Sequence, residues 1–167
     1  MRRIFAGFGS FLFLILAPGT VAGLVPWWIS RGHLLPPFFG QSGFRIAGVL
    51  LIVAGLIPLL ESFTRFAWKG IGTPAPVFPT RHLVVSGFYR HVRNPMYLGV
   101  IAIVLGEAFL SGDTQLFTYA LLVWLAFFLF VLAYEEPTLR ASFGEEYEAF
   151  CRNVPRWLPR FTPWRKG

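Results

Sequence analysis

Gly87-Phe88-Tyr89-Arg90-His91-Val92-Arg93-Asn94-Pro95-Met96-Tyr97-Leu98-Gly99 joins a basic, aromatic segment to an apolar run that continues to Gly112. Proline at the junction suits the first turn of a helix, where its missing N–H leaves no bond unmade. Cations gathered just ahead of a long apolar helix mark a membrane span entered from its basic side. Further on, Glu135-Glu136 stands at the end of a second apolar run. Carboxylates so placed need partners, and a cationic ligand is one candidate.

Composition carries this reading to the whole chain. Of 167 residues, 55% are hydrophobic, with 19 Phe and 6 Trp, which removes the chain from the soluble classes. A hydrocarbon core about 30 Å thick is crossed by roughly 20 helical residues. Apolar runs near that length are Ile4–Trp28, Phe44–Trp68, Pro95–Gly112 and Gln115–Tyr134, the third being the shortest. Ser111-Gly112-Asp113-Thr114 is a tight turn signal, so the last two runs are expected to form an antiparallel hairpin. None of the runs alternates with period two, and helices satisfy their own backbone in lipid, so an all-α integral membrane protein of about four spans is expected.

Four spans place both termini on one side. That side holds Arg2, Arg3, Arg65, Lys69, Arg81, Arg90, Arg93, Arg140, Arg152, Arg156, Arg160, Arg165 and Lys166, against Arg31 and Arg45 on the other. The asymmetry puts the termini and the central loop in the cytoplasm. The formal charge of +7 therefore reads as topology and attraction to anionic lipid, with no nucleic-acid partner. Arg2-Arg3 followed by an apolar run and Val21-Ala22-Gly23 has some signal-peptide character, but the run continues to Trp27-Trp28, so an uncleaved first span is expected. The single cysteine, Cys151, rules out an intramolecular disulfide and reads as packing.

The chain divides by chemistry. Residues 1–68 form two spans with few polar groups, and residues 69–167 hold nearly everything that can do chemistry. Gly70, Gly72, Pro74, Pro76 and Pro79 make an extended connector between them. After Pro137, the spacing of Leu139, Phe143, Tyr147, Phe150 and Val154 predicts a C-terminal cytoplasmic amphipathic helix. Glu148 and Arg152 fall off its apolar stripe as an i,i+4 pair. Trp157-Leu158-Pro159-Arg160-Phe161-Thr162-Pro163-Trp164 then mixes aromatics with arginine in the manner of an interfacial anchor.

The segment from Arg81 to Gly99, then Glu135-Glu136, Phe143-Gly144-Glu145-Glu146-Tyr147 and Val154-Pro155-Arg156, resembles the isoprenylcysteine carboxyl methyltransferase family. It is similar, too, to the wider group of small membrane methyltransferases that includes the bacterial phospholipid N-methyltransferases. The resemblance covers residues 81–160 and leaves out the first two spans. It implies S-adenosyl-L-methionine as cofactor, bound by Arg81, His82, Leu83, Val84, Tyr89, Asn94, Pro95, Met96, Tyr97 and Glu136. It implies Glu135 and Arg93 as catalytic residues and Val131 with Glu135 as the contacts to the acceptor. The substrate is then a lipophilic molecule, an isoprenylcysteine-like carboxylate or a lipid, with a phospholipid amine as the alternative. The host membrane is expected to be a bacterial or archaeal inner membrane.

The residue types suit that chemistry. Glycines 87 and 99 permit close backbone approach, and the rings of Tyr89 and Tyr97 offer faces to adenine or to a sulfonium. Glu135 would attract a cation, with Glu136 facing water, while Arg90 and Arg93 would answer a carboxylate. Bland readings stand beside these. The arginines are also positive-inside anchors, Tyr97 an interfacial belt residue, and the paired glutamates partners of Arg140 or the loop arginines. Glu61 and Arg65 read as an i,i+4 pair, and Glu107 lies inside the third span with no evident partner. His82, His91 and His33 lack the spacing of a metal site.

Two positions depart from the family pattern. The resemblance implies an arginine one turn before the glutamates, holding the acceptor carboxylate, and this chain has Val131. Asn94 stands where many members carry histidine, and asparagine is no base near neutral pH. Two other classes fit the composition: a non-catalytic membrane binding or assembly protein, and a membrane reductase similar to the sterol reductases. The short loop leaves little room for a nicotinamide dinucleotide, and no Gly-x-Gly-x-x-Gly follows a strand.

Overall fold

The computed structural model describes Leu12, residues 14–69 and residues 83–165. Among these, regular structure is entirely helical, and the order is α1 (Leu14–Ser30), α2 (Gly43–Lys69), α3 (Pro95–Ser111), α4 (Thr114–Phe130) and α5 (Glu136–Asn153). Gly43–Arg65 and Gln115–Asn153 are long and apolar enough to cross a membrane, while Leu14–Ser30 and Pro95–Ser111 are shorter apolar helices. Val49, Leu50, Val53 and Ile57 on α2, with Leu121, Leu122, Leu125 and Leu129 on α4, are exposed on the outside of the bundle. An apolar girdle of this extent is stable only against lipid, so the protein is an integral membrane protein.

Glycines set the packing of α2 against α3. A Cβ on Gly48 would lie 2.6 Å from the Gly106 carbonyl oxygen, and one on Gly106 equally 2.6 Å from that of Gly48. Gly55 and Gly99 repeat the reciprocal contact one heptad along, at 2.5 and 2.6 Å. Only residues without a side chain permit two membrane helices to approach this closely. Gly99, expected to face a ligand, thus faces the backbone of α2.

The α3–α4 hairpin forms as the turn signal predicts. Gly112 caps α3 in the left-handed conformation at φ 75°, and the Asp113 side chain accepts from the Gln115 N–H at 2.8 Å to start α4. The core at the bundle centre is Leu59, Phe63, Val100, Ile103 and Val123. The fourth run does not stop at Tyr134. It passes through a π-turn, Val131–Glu135, into α5, which bends at Gly144 (φ 47°). On α5 the expected stripe holds: Tyr147, Phe150 and Val154 are buried together, against Leu83, Val85, Leu139, Phe143 and Trp164. Glu148 pairs with Arg140 at 2.7 Å instead of Arg152, because the bend at Gly144 brings the preceding turn within reach.

Candidate active site

The loop before α3 is shaped by Gly87, whose φ of +58° favours a residue without a side chain. A Cβ there would also collide with the ion pair that Glu61 and Arg65 form on α2, as their spacing predicts. The loop thus leans on α2 and turns through the 3₁₀ segment Gly87–Arg90 to Asn94, which precedes the first turn of α3. Tyr89 is buried in this turn, its phenol beside Ser62 and in the field of Glu135 and Glu61. Burial, and then the Glu135 charge, push that phenol above its ordinary pKa, so it stays neutral.

Tyr97, in the first turn of α3, donates its hydroxyl to Glu135 Oε2 at 2.7 Å. The π-turn carries Glu135 into this position: one extra residue per turn rotates it relative to α4, and the Glu136 N–H returns to the Val131 carbonyl. Among the described residues no arginine, lysine or histidine forms an ion pair with Glu135. Tyr97 also lines an apolar cavity of about 440 Å³. Its other walls are Ala17, Pro18 and Val21 of α1, Leu59 and Phe63 of α2, Met96 and Val100 of α3, and Ala126, Phe127 and Phe130 of α4. A second π-turn, Thr20–Leu24, shapes the α1 wall: the Val25 N–H goes to Thr20, freeing the Val21 carbonyl to accept from the Tyr119 hydroxyl at 2.8 Å. The first two helices, absent from the motif, therefore supply five of the eleven lining residues.

Glu136, the chain neighbour of Glu135, has a different environment. It is 3% exposed, and Arg93, Arg140 and Arg156 converge on it at 3.1, 3.7 and 2.6 Å. The expectation that Glu136 faces water is corrected: three guanidinium groups compensate its burial. Arg93, which the resemblance made catalytic, forms an ion pair with Glu136 at 3.1 Å and donates to Cys151 Sγ at 2.7 Å. Arg90 donates to the Trp164 carbonyl at 2.6 Å, and Asn94 Nδ2 to the Arg156 carbonyl at 3.1 Å. Leu83 packs against α5, Val84 is partly buried, and Pro95 is buried at the start of α3. Val131 is fully buried, one turn before Glu135. Arg81 and His82 lie outside the described residues, as does the whole of the Gly70–Pro79 connector.

Two features escaped the sequence reading. Arg156 is a structural partner of Glu136 that no local spacing reveals, since 20 residues separate the two. Glycines at matching heptad spacing in the second and third runs were the available signal for the α2–α3 contact. Glu107 is partly buried, and its Oε2 has no hydrogen-bond partner among the described residues. No group of three or more His, Cys, Asp or Glu able to hold a metal occurs among the described residues.

Residues 44–146 match the phospholipid methyltransferase family, a region that begins with α2 and so extends beyond the motif segment. The human protein-S-isoprenylcysteine O-methyltransferase is 38% identical over 84% of this chain and 50% of its own length. Protein-S-isoprenylcysteine O-methyltransferase B of Arabidopsis thaliana is 29% identical over 80% of this chain and 60% of its own length. That of Schizosaccharomyces pombe is 35% identical over 46% of this chain and 33% of its length. The chain thus spans between 33% and 60% of the length of these relatives. No solved structure matches. With more than half of its residues in the match, the chain belongs to the phospholipid methyltransferase family.

Proposed function

We propose that the protein is an S-adenosyl-L-methionine-dependent methyltransferase, embedded in the membrane by four helices, that acts on a lipophilic acceptor. The observation that carries this reading is the Tyr97–Glu135 hydrogen bond at the wall of an apolar cavity. A carboxylate with no cationic partner among the described residues, one hydrogen bond from a cavity whose walls include Phe63, Tyr97, Phe127 and Phe130, suits a cation on one side and a hydrocarbon chain on the other.

The residues present fit the cofactor. Glu135 would face its cationic portion, the rings of Tyr89 and Tyr97 would flank it, and Met96 and Pro95 would bound the pocket. Arg81, His82, Leu83 and Val84 are assigned to it by their place in the family motif. When bound, the cofactor supplies a methyl group on a cationic sulfur. Tyr97 holds the Glu135 carboxylate in one orientation by its hydroxyl. Glu136 and Arg93 act at one remove, fixing the loop that carries Tyr89. The cavity aligns the acceptor and excludes water, and alignment alone contributes up to roughly 7–11 kcal/mol. The names of the relatives favour a lipidated cysteine carboxylate as acceptor. A lipid amine is the second reading, favoured by Val131 and by the commitment of Arg93, Arg140 and Arg156 to Glu136. With the loops at the motif end basic, that end and both termini belong in the cytoplasm, consistent with a bacterial or archaeal inner membrane.

The test is incubation of purified protein with radiolabelled S-adenosyl-L-methionine and a membrane lipid extract. Label transferred to an organic-soluble acceptor supports the reading. Label in no acceptor, together with no measurable S-adenosylhomocysteine binding, sinks it.

A further inference from the structure

The chain after α5 folds back along the loop that precedes α3. The Arg93 N–H donates to the Pro155 carbonyl, the Arg160 N–H to the His91 carbonyl and the Trp164 N–H to the Arg90 carbonyl, each at 2.9 Å. His91 Nδ1 and the Arg160 carbonyl lie 2.8 Å apart, and Arg90 and Asn94 add the two side-chain bonds described above. These bonds tie loop and tail together.

The tail also lies against the residue that precedes α3 and against the side of α4. Asn94, which it binds, is the residue before the first turn of α3. Trp157 stacks on Phe128 of α4 at 6.3 Å and 26°, so its ring reaches the side of an apolar helix. Between these anchors, Leu158 is 80% exposed and Phe161 fully exposed, an orientation that water disfavours. No acidic residue follows Glu148, and Arg152, Arg160 and Arg165 form no ion pair among the described residues. Apolar side chains between unpaired arginines match one surface chemistry: acyl chains beneath anionic headgroups.

We propose that residues 154–165 form a strap docked on the anionic membrane surface, with Leu158 and Phe161 inserted, and that this docking rigidifies the loop 87–94. The cofactor role of that loop rests on the function proposed above; the docking does not.

Three measurements on the full chain in lipid nanodiscs test the strap, with phosphatidylcholine alone or mixed with phosphatidylglycerol. A Phe161→Cys variant in a Cys151→Ser background, carrying an environment-sensitive fluorophore, is expected to be quenched by lipids with brominated acyl chains. A solvent-like, unquenched probe overturns the docking. Hydrogen exchange of the 88–94 segment is expected to slow in the anionic discs, and to lose that dependence in a Leu158→Ser, Phe161→Ser variant. Equal exchange in both discs, or in both proteins, overturns the coupling. S-adenosylhomocysteine is then expected to bind about fivefold more tightly in the anionic discs, the worth of one basic residue at such a surface. Absence of binding in either lipid counts against the proposed cofactor, while quenching and exchange still decide the strap.

Discussion

The Arg156 guanidinium grips Glu136 with two prongs, Nε to Oε1 at 2.6 Å and Nη2 to Oε2 at 3.0 Å, and so ties the tail to the start of α5. Arg93 reaches the same carboxylate from the loop at 3.1 Å. Tail, loop and helix meet on one buried charge. Its neighbour Glu135 is left for the cavity side, held by Tyr97. The two glutamates are adjacent in sequence and separate in task.

That separation predicts opposite phenotypes. Glu136→Gln leaves Arg93 and Arg156 partly buried without their anion, and breaking such a cluster destabilises by about 3–5 kcal/mol. Glu135→Gln keeps shape and Tyr97 hydrogen bonding, with a change in stability below about 1 kcal/mol. Denaturation in mild detergent distinguishes them. Equal losses for both variants would contradict the division of roles.

For cofactor binding the order reverses. Calorimetric titration with S-adenosylhomocysteine should give weaker affinity for Glu135→Gln and Tyr97→Phe, by about tenfold, the worth of one charge-assisted hydrogen bond. In the wild type the ligand should raise stability by about 2.7 kcal/mol at a hundredfold excess over its dissociation constant. Unchanged affinity in Glu135→Gln would return Glu135 to a purely structural role.

The glycine crossings make a third test. Gly55→Val or Gly99→Val drives a side chain into the facing carbonyl, 2.5 or 2.6 Å from its Cβ. Overpacking of this kind destabilises by about 1–3 kcal/mol, and here it also spreads α2 from α3. Leu59 and Phe63 would leave the cavity wall with α2. Activity is therefore expected to fall in both variants. Gly43→Ala, with open space around its Cβ, is the matched control and should leave stability unchanged.

The helical class, the α3–α4 hairpin, the α5 stripe and the Glu61–Arg65 pair were legible because each rests on local periodicity or a turn signal. What stayed hidden was non-local or conformational. The π-turn at Val131–Glu135 leaves no mark on hydropathy, yet it aims Glu135 at Tyr97 and runs the fourth apolar segment on into α5. Arg90 and Arg93 have the charge to meet a ligand carboxylate, but partners remote in sequence occupy them: the Trp164 carbonyl of the tail holds Arg90, and Cys151 and Glu136 of α5 hold Arg93. Gly99 looked like a ligand-facing glycine, because the helix it touches is named by a contact and not by a motif.

Topology is open to a direct experiment. Four spans with the motif end inside require tags at both termini to be reachable only from the cytoplasm, and a tag near Gly32 only from outside. Pro95–Ser111, at 17 residues, is about 25 Å long, shorter than the hydrocarbon core. It crosses only if the bilayer thins or neighbouring residues complete the span. Termini on opposite faces would remove the four-span arrangement, with α3 as the helix at fault.

On the proposed function, the acceptor is selected at the cavity. Its walls are apolar, and Arg93, Arg140 and Arg156 all pair with Glu136. A bound chain gains about 0.8 kcal/mol for each buried methylene, so kcat/KM should climb about fourfold per methylene along a homologous series until the cavity is filled. The head group discriminates separately. Val131→Arg adds a cation one turn from Glu135, which should shift the preference of the enzyme from amine toward carboxylate acceptors of equal chain length. Because Val131 is buried, that variant is compared with Val131→Ala, which opens space without adding charge. A shift seen with arginine and not with alanine assigns head-group selection to this position. Equal turnover of short, water-soluble acceptors and long-chain ones would instead show that the cavity does not hold the acceptor.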